Sequence, residues 1–204
     1  MIERLFLVRH GETVHNVAGI AQGWNDSALS DSGRQQVELL AKRMAAEEPD
    51  AIFSSPLQRA LTTAEAISKA TGVAVQTLDD LREMNYGRWE GRSFLDVRRE
   101  DDEIYRRWID DPDCACPGGE SHNDVYQRIK RAFAHMDGAR VVVVTHGTAI
   151  RIGATALLET EISLSRHLSI DNASVSLFVR RGERMVLKLW NDTSHCHAAR
   201  TNQR

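Results

Sequence analysis

The residues best suited to chemistry lie in a short segment near the amino terminus, Leu7-Val8-Arg9-His10-Gly11-Glu12-Thr13. A guanidinium group offers paired donors that match phosphate oxygens, and a neutral imidazole is a nucleophile near pH 7. The glycine that follows allows the backbone to approach a bound anion closely. The segment therefore predicts phosphoryl chemistry, with His10 as the residue that carries the phosphoryl group.

A second histidine stands at the end of the most apolar segment of the chain. His146 follows the run Val141-Val142-Val143-Val144 and Thr145, and Gly147 comes after it as Gly11 comes after His10. A continuous apolar run is typical of a strand buried on both faces of a parallel sheet, and ligands bind beyond the carboxyl ends of such strands. Either histidine alone would also suit a structural role. Together they predict one site at one edge of a sheet.

The remaining pattern alternates between short apolar runs and amphipathic stretches, which indicates an α/β protein. Ser30 is placed to cap one helix, and Ser55-Pro56 is expected to begin another, with proline at the first helical position. This second helix carries Arg59. Near the carboxyl terminus, residues 174–180 and 185–190 are expected to form a hairpin.

Length and composition favour one globular domain over residues 1–204. Of the 204 residues, 42% are hydrophobic and 27% are charged, and no Pro/Gly/Ser-rich linker divides the chain. The periodic pattern of apolar residues is weaker over residues 79–118, which we expect to form a lid-like insertion of short helices and loops. The polar residues 198–204 are expected to be a frayed tail.

Composition also argues against several classes of partner. The net charge is −3 and no long basic run occurs, so we expect no nucleic-acid binding. No run of eighteen apolar residues occurs, and the first strand begins too early to leave room for a signal peptide, so we expect no membrane association and a cytoplasmic location. The odd number of cysteines, three, argues against a disulfide framework.

A metal site is the competing interpretation of the histidines. Cys114 and Cys116, and the run His195-Cys196-His197, could supply ligands. Neither spacing is typical of a zinc site. We therefore predict no metal and no cofactor.

Four motifs, taken in order, resemble the histidine phosphatase superfamily, whose fold is called phosphoglycerate-mutase-like. They are Val8-Arg9-His10-Gly11-Glu12-Thr13 with Asn16, Ser54-Ser55-Pro56-Leu57-Gln58-Arg59-Ala60, Leu81-Arg82-Glu83, and Val144-Thr145-His146-Gly147. The resemblance covers nearly the whole chain. It implies a three-layer α/β/α sandwich with a mostly parallel central sheet.

The resemblance also implies a role for each residue of the site. His10 would be the nucleophile and Glu83 the residue that moves the proton. The phosphate would be held by Arg9, Asn16, Arg59 and His146, and we add Gly147 to this set. Phosphoryl transfer mainly requires positioning and charge stabilisation, which two guanidinium groups supply without a metal. We expect His146 to be cationic beside a phosphate dianion, and the other ring nitrogen of His10 to donate to a nearby backbone carbonyl.

Within the family, the chain resembles the phosphatases more than the mutases. The segment between Glu83 and the turn at residues 117–121 is short, and Tyr86-Gly87-Arg88-Trp89-Glu90-Gly91 is similar to the phosphatase branch. Other runs are similar to metal-independent phosphoserine phosphatases, although these can carry a histidine where Tyr86 stands. Small phosphomonoesters such as phosphoserine are therefore the first expectation. The residues expected to contact the leaving group are Gln22, Gly23, Trp24, Tyr86, Trp108 and His195.

Three alternatives stay open at this stage. One is a ribazole phosphatase or a sugar-phosphate phosphatase, since the same runs resemble these enzymes. Another is a mutase, which would return the phosphoryl group to a second hydroxyl instead of to water. The third is a silent binding module, which the complete set of site residues argues against. A homodimer formed through the sheet edge is a further expectation.

Overall fold

A six-stranded sheet forms the centre of the protein in the computed structural model, which describes residues 1–197. The strands are β1 (Arg4–Arg9), β2 (Ala51–Ser54), β3 (Val75–Thr77), β4 (Arg140–Thr145), β5 (Val175–Arg181) and β6 (Arg184–Asp192). Their spatial order is β3-β2-β4-β1-β5-β6. The four strands from β3 to β1 are mutually parallel, and β5 and β6 form the expected antiparallel hairpin. The predicted α/β class with a mostly parallel sheet is confirmed.

Helices cover both faces of this sheet. The α-helices of residues 1–197 are α1 (Val14–Val17), α2 (Asp31–Ala45), α3 (Gln58–Thr71), α4 (Phe94–Glu100), α5 (Asp102–Asp110), α6 (His122–Ala134), α7 (Gly147–Leu157) and α8 (Ser194–His197). Along β1, Phe6 and Val8 pack with apolar residues of α2 and α3, whereas Leu5 and Leu7 pack with those of α6 and α7. This alternation explains why β1 is apolar throughout. The three-layer arrangement follows from it.

The helix starts agree with the sequence in part. Ser30 caps α2 by accepting a hydrogen bond from the Gly33 amide, as predicted. The start predicted at Ser55-Pro56 is wrong, because α3 begins at Gln58 and Pro56 lies before the helix. The first amides of α3, those of Gln58 and Arg59, donate instead to the carboxylate of Asp26, at 2.8 and 3.4 Å. A distant side chain therefore provides the cap.

Residues 79–118 contain two 3₁₀ turns, Asp79–Leu81 and Gly87–Trp89, followed by α4 and α5. Trp89 and Trp108 of this segment are buried and pack edge to face, with ring centroids 5.5 Å apart. Such pairs stabilise the packing of the short helical elements in this segment. The role of residues 79–118 as a lid stays a prediction.

Two further expectations concern the ends of the chain and the membrane. The tail predicted at residues 198–204 lies outside the described residues. Among residues 1–197, no helix is long and apolar enough to cross a lipid bilayer.

Candidate active site

The two predicted histidines lie side by side at the carboxyl ends of β1 and β4. These strands are neighbours and pair in parallel with Arg9 opposite Thr145, so His10 and His146 leave the sheet at the same level. Their ring centroids are 5.1 Å apart, and both side chains are buried. The expectation that the strands bring both histidines to one edge is confirmed.

His10 is held in the form that a nucleophile needs. Its Nδ1 lies 2.7 Å from the carbonyl oxygen of Gly11, and since a carbonyl only accepts, Nδ1 carries the proton. Burial, followed by the charges of Arg9 and Arg59, holds the pKa of His10 well below its usual range. The ring is therefore neutral at pH 7, and Nε2 has a free lone pair. The expected hydrogen bond to a backbone carbonyl is confirmed.

His146 is oriented by a hydroxyl group. Its Nε2 lies 2.8 Å from Oγ of Ser55, and its Nδ1 is buried without a hydrogen-bond partner among residues 1–197. Burial, and then the charge of Arg59, keeps the pKa of His146 well below its usual value. The cationic form expected from the sequence therefore requires an anion next to the ring.

The two arginines are fixed through their backbone partners. Nη1 of Arg9 donates to the carbonyl of Ile170 at 2.7 Å, and Nη2 of Arg59 donates to that of Gly23 at 2.7 Å. Arg59 also pairs with Asp26 at 2.9 Å, and its side chain is buried. Within the described part of the chain, Nε of each arginine is buried and has no partner. Both guanidinium groups are thus fixed in place, and each keeps N–H donors that a ligand can use.

Asn16 is turned so that its amide nitrogen is the available group. Its Oδ1 accepts from the backbone amide of Thr13 and from Nδ2 of Asn172, both at 3.1 Å. Asn172 also donates to the carbonyl of His10 at 3.2 Å. Asn172 is not among the predicted site residues, although it stands just before β5, beside the end of β1.

Glu83 lies at the amino-terminal turn of α7. Its Oε2 accepts from the amide of Thr148 at 3.1 Å, and its Oε1 accepts from those of Ala149 and Met84 at 3.2 and 2.8 Å. The backbone carbonyl of Glu83 accepts from Nη2 of Arg128 at 2.9 Å. The side chain of Glu83 is thus held by backbone amides at the first turn of α7, and its backbone is held by Arg128.

A cavity of about 440 Å³ brings most of the predicted residues together. Ten of them line it: Arg9, His10, Asn16, Gln22, Gly23, Arg59, Glu83, Tyr86, Trp108 and Gly147. His146 lies behind this lining, against the ring of His10. Two guanidinium groups, a neutral imidazole and a carboxylate in one cavity suit the binding and transfer of a phosphoryl group.

Two residues predicted to contact the substrate lie outside the cavity lining and make other contacts. Trp24 is outside the cavity lining, and its indole nitrogen donates to the backbone carbonyl of Glu83 at 2.9 Å. His195 is in α8, which packs on α2, and its Nδ1 lies 2.9 Å from Nη1 of Arg43. Trp24 therefore supports Glu83 from behind, and His195 belongs to the contact between α8 and α2.

The fold also brings to the site residues that the sequence did not predict there. Thr148 and Arg151 line the cavity, and Ser55 contacts His146. The helical repeat contained the signal for Arg151, since it follows Gly147 by four residues and so shares its face of α7. Ser55 belongs to the second motif, but the motif did not indicate its contact with His146, which is 91 residues away.

Potential metal ligands are not clustered in the described part of the chain. Among the described residues, no three or more His, Cys, Asp or Glu side chains are grouped so that they could hold a metal ion. Cys114, Cys116 and Cys196 are free thiols. The positive charge that faces the cavity comes from arginines.

Comparison with known proteins identifies the family. The family model of the histidine phosphatase superfamily (branch 1) matches residues 5–193. Phosphoserine phosphatase 1 of Hydrogenobacter thermophilus is 36% identical over 197 residues, which are 94% of this chain and 93% of that protein. The metal-independent phosphoserine phosphatase of Arabidopsis thaliana is 35% identical over 202 residues, which are 95% of this chain and 83% of that protein.

A solved structure supports the same family. The mycobacterial glucosyl-3-phosphoglycerate phosphatase superposes with a TM-score of 0.86 at 31% identity, covering 93% of this chain and 99% of that one. The match to the family model spans both histidines and Glu83. The chain thus belongs to the histidine phosphatase superfamily and is a phosphoric monoester hydrolase.

Proposed function

We propose that this chain hydrolyses small phosphomonoesters through a phosphohistidine at His10, and that phosphoserine is the first substrate to test. One observation carries the proposal: a neutral His10 with its tautomer fixed by Gly11 lies in one cavity with Arg9, Arg59 and the carboxyl group of Glu83. A nucleophile, charge stabilisation and a proton carrier are therefore present together.

In the first half-reaction, Nε2 of His10 attacks phosphorus on the face opposite the ester oxygen. The bond from phosphorus to this oxygen breaks as the bond from nitrogen to phosphorus forms. The leaving oxygen takes a proton from Glu83, whose carboxyl group takes up that proton when the anionic ester binds beside it, so that an alcohol departs and a carboxylate stays. Arg9, Arg59 and the amide of Asn16 balance the charge on the three equatorial oxygens.

In the second half-reaction, water attacks phosphorus from the side that the alcohol has left. The Glu83 carboxylate takes a proton from this water, and the bond between phosphorus and His10 breaks. Phosphate leaves, and His10 regains its lone pair while Nδ1 keeps the proton it shares with Gly11. A single carboxyl group thus serves both half-reactions, as microscopic reversibility allows.

His146 contributes charge stabilisation in this scheme. Its free Nδ1 is the ring atom not occupied by Ser55, and it acts as a donor when a phosphate dianion next to it favours the imidazolium. The positive charge then appears only with substrate in the cavity. This limits the cost of holding a cation in a buried position.

The choice of substrate rests on relatives and on motifs. Two relatives at 35% and 36% identity are named phosphoserine phosphatases. The solved structure named for glucosyl-3-phosphoglycerate supports a sugar-phosphate substrate as the second candidate. A panel containing both esters, scored by kcat/KM, separates the candidates, and phosphoryl transfer to phosphoglycerate faster than hydrolysis would indicate a mutase.

The covalent intermediate is tested by rapid quenching. Phosphorus-labelled substrate is mixed with enzyme and quenched in alkali, where phosphohistidine survives, and bound label is counted. We expect stoichiometric label on the wild type and on the control His135→Ala, whose side chain is exposed. His10→Ala should lose both label and turnover. If His10→Ala keeps its turnover, the proposed mechanism is wrong.

A further inference from the structure

Arg151 is a cation of the cavity wall that the proposed mechanism does not use. It is half-buried and lines the same cavity as His10. Within residues 1–197, no carboxylate oxygen lies within 4.0 Å of its guanidinium, whereas Arg59 pairs with Asp26. A half-buried cation that faces a cavity without a paired carboxylate is a binding point for an anion.

Neighbouring hydroxyl groups hold the Arg151 side chain in position. Its Nη2 donates to Oγ1 of Thr148 at 3.0 Å, and this oxygen lies 2.7 Å from the hydroxyl oxygen of Tyr86. Burial raises the pKa of Tyr86, so the phenol is neutral and gives Arg151 no counter-charge. In the described part of the chain, Nε and Nη1 of Arg151 have no hydrogen-bond partner, so they stay available to a ligand.

Arg151 is not one of the cations that act on the nucleophile. The charges that lower the pKa of His10 are those of Arg9 and Arg59, whereas the charge of Arg151 acts on Arg9, Tyr86 and His122. Arg151 also follows Gly147 by one helical turn, which is a rise of about 6 Å along α7. Gly147 itself is next to the guanidinium of Arg9, since a Cβ added there would be 3.6 Å from Cζ of Arg9.

We propose that Arg151 binds a carboxylate on the leaving group of the substrate and so selects esters in which this carboxylate is a few bonds from phosphorus. In phosphoserine and in 3-phosphoglycerate, four bonds separate phosphorus from the carboxyl carbon, so a phosphate held at Arg9 leaves the carboxylate inside the cavity that Arg151 also lines. The inference rests on the proposed function and extends it. Arg151 acts as a specificity residue, while the phosphate stays with Arg9, Arg59 and Asn16.

The test uses two pairs of esters that differ mainly in the carboxylate. Phosphoserine is compared with phosphoethanolamine, and 3-phosphoglycerate with glycerol 3-phosphate. The specificity ratio is kcat/KM for the ester with the carboxylate divided by kcat/KM for its partner. It is measured for the wild type, Arg151→Gln and Arg151→Lys. The control is Arg184→Gln, which removes one positive charge from an exposed arginine of β6.

We expect the wild type to prefer the carboxylate ester in at least one pair. Arg151→Gln should lower that ratio about tenfold or more, since a charge-assisted hydrogen bond is lost, and Arg151→Lys should lower it less. Arg184→Gln should keep the wild-type ratio. Thermal unfolding of each variant shows that it is folded.

Two results would overturn the inference. If the wild type prefers neither ester in either pair, the enzyme does not recognise a carboxylate and Arg151 cannot select for it. An equal loss on both members of a pair in Arg151→Gln would mean that Arg151 holds the phosphate. Neither result touches the proposed function, which fails only if His10→Ala keeps its turnover.

Discussion

Ser55 and His146 show how a single hydroxyl group orients a catalytic ring. The 2.8 Å contact between Oγ and Nε2 leaves Nδ1 as the one nitrogen that can act on a ligand. Rotation of the ring would break this contact within a buried environment, where a lost hydrogen bond is costly. Ser55 is thus a positioning residue that acts through His146.

Ser55→Ala should lower kcat about tenfold with a smaller effect on KM, because His146 loses the partner that fixes Nδ1. Steady-state kinetics on one good substrate measures both constants. Ser55→Thr keeps a hydroxyl group and should recover most of kcat. An alanine variant with wild-type kcat would show that His146 needs no such support.

Glu83→Gln should slow turnover a hundredfold or more, because an amide cannot pass a proton between the ester oxygen and water. Inhibition by inorganic phosphate should persist, since Arg9 and Arg59 stay in place. Glu103→Gln, an exposed site in α5, is the matched control. Unchanged turnover in Glu83→Gln would assign the proton transfer to another group.

At the scale of elements, the amino-terminal turn of α2 supports the loop that carries the nucleophile. Gly33 of this turn packs directly on the backbone of Glu12, so a Cβ added to Gly33 would come within 1.9 Å of the Glu12 carbonyl oxygen. Ser30, which caps α2, also donates to the carboxylate of Glu12 at 2.6 Å. The position of the loop after His10 therefore depends on how closely α2 approaches it.

Gly33→Ala should destabilise the protein by about 1–3 kcal/mol, because the overlap with Glu12 outweighs the roughly 1 kcal/mol that alanine contributes inside a helix. It should also lower kcat, since Glu12 lies two residues from His10. Chemical denaturation and kinetics measure the two effects. Ser32→Ala, an exposed neighbour in α2, is the control, and a Gly33→Ala variant as stable as this control would contradict the argument.

At the scale of the whole molecule, buried neutral histidines make stability depend on pH. His10, His122 and His146 all have a pKa below 6.5, and burial with the nearby charges of Arg151 and Arg166 lowers that of His122 to about 4. The unfolded chain therefore binds more protons than the folded protein below pH 6.5. The free energy of unfolding must therefore fall as the pH drops below 6.5. His122 contributes to this fall down to about pH 4, its pKa in the folded protein.

His122→Gln should reduce this dependence. Between pH 7 and pH 5 the free energy of unfolding should fall by about 2 kcal/mol less in the variant than in the wild type, because one group no longer titrates. Urea unfolding at the two pH values measures the difference. The exposed His135→Gln should behave like the wild type, and an identical pH dependence in His122→Gln would contradict the assigned shift.

The sequence by itself determined the class of fold and the strands that carry the site. Continuous apolar runs specify strands buried on both faces, and the residues directly after such strands must lie at the sheet edge. That local logic sufficed for His10 and His146. The capping residues of α2 and α6 are equally local, since Ser30 and Ser121 lie three residues from the amides they cap.

The tertiary structure alone decided which distant side chains meet. Asp26 caps α3 in place of the expected start at Pro56, and Ser55, which follows β2, contacts His146, which follows β4. His195 was expected at the substrate, yet α8 packs on α2 and brings it to Arg43. Local periodicity specifies the face on which a residue lies, but the direction of a side chain and the identity of its partner depend on how the elements pack.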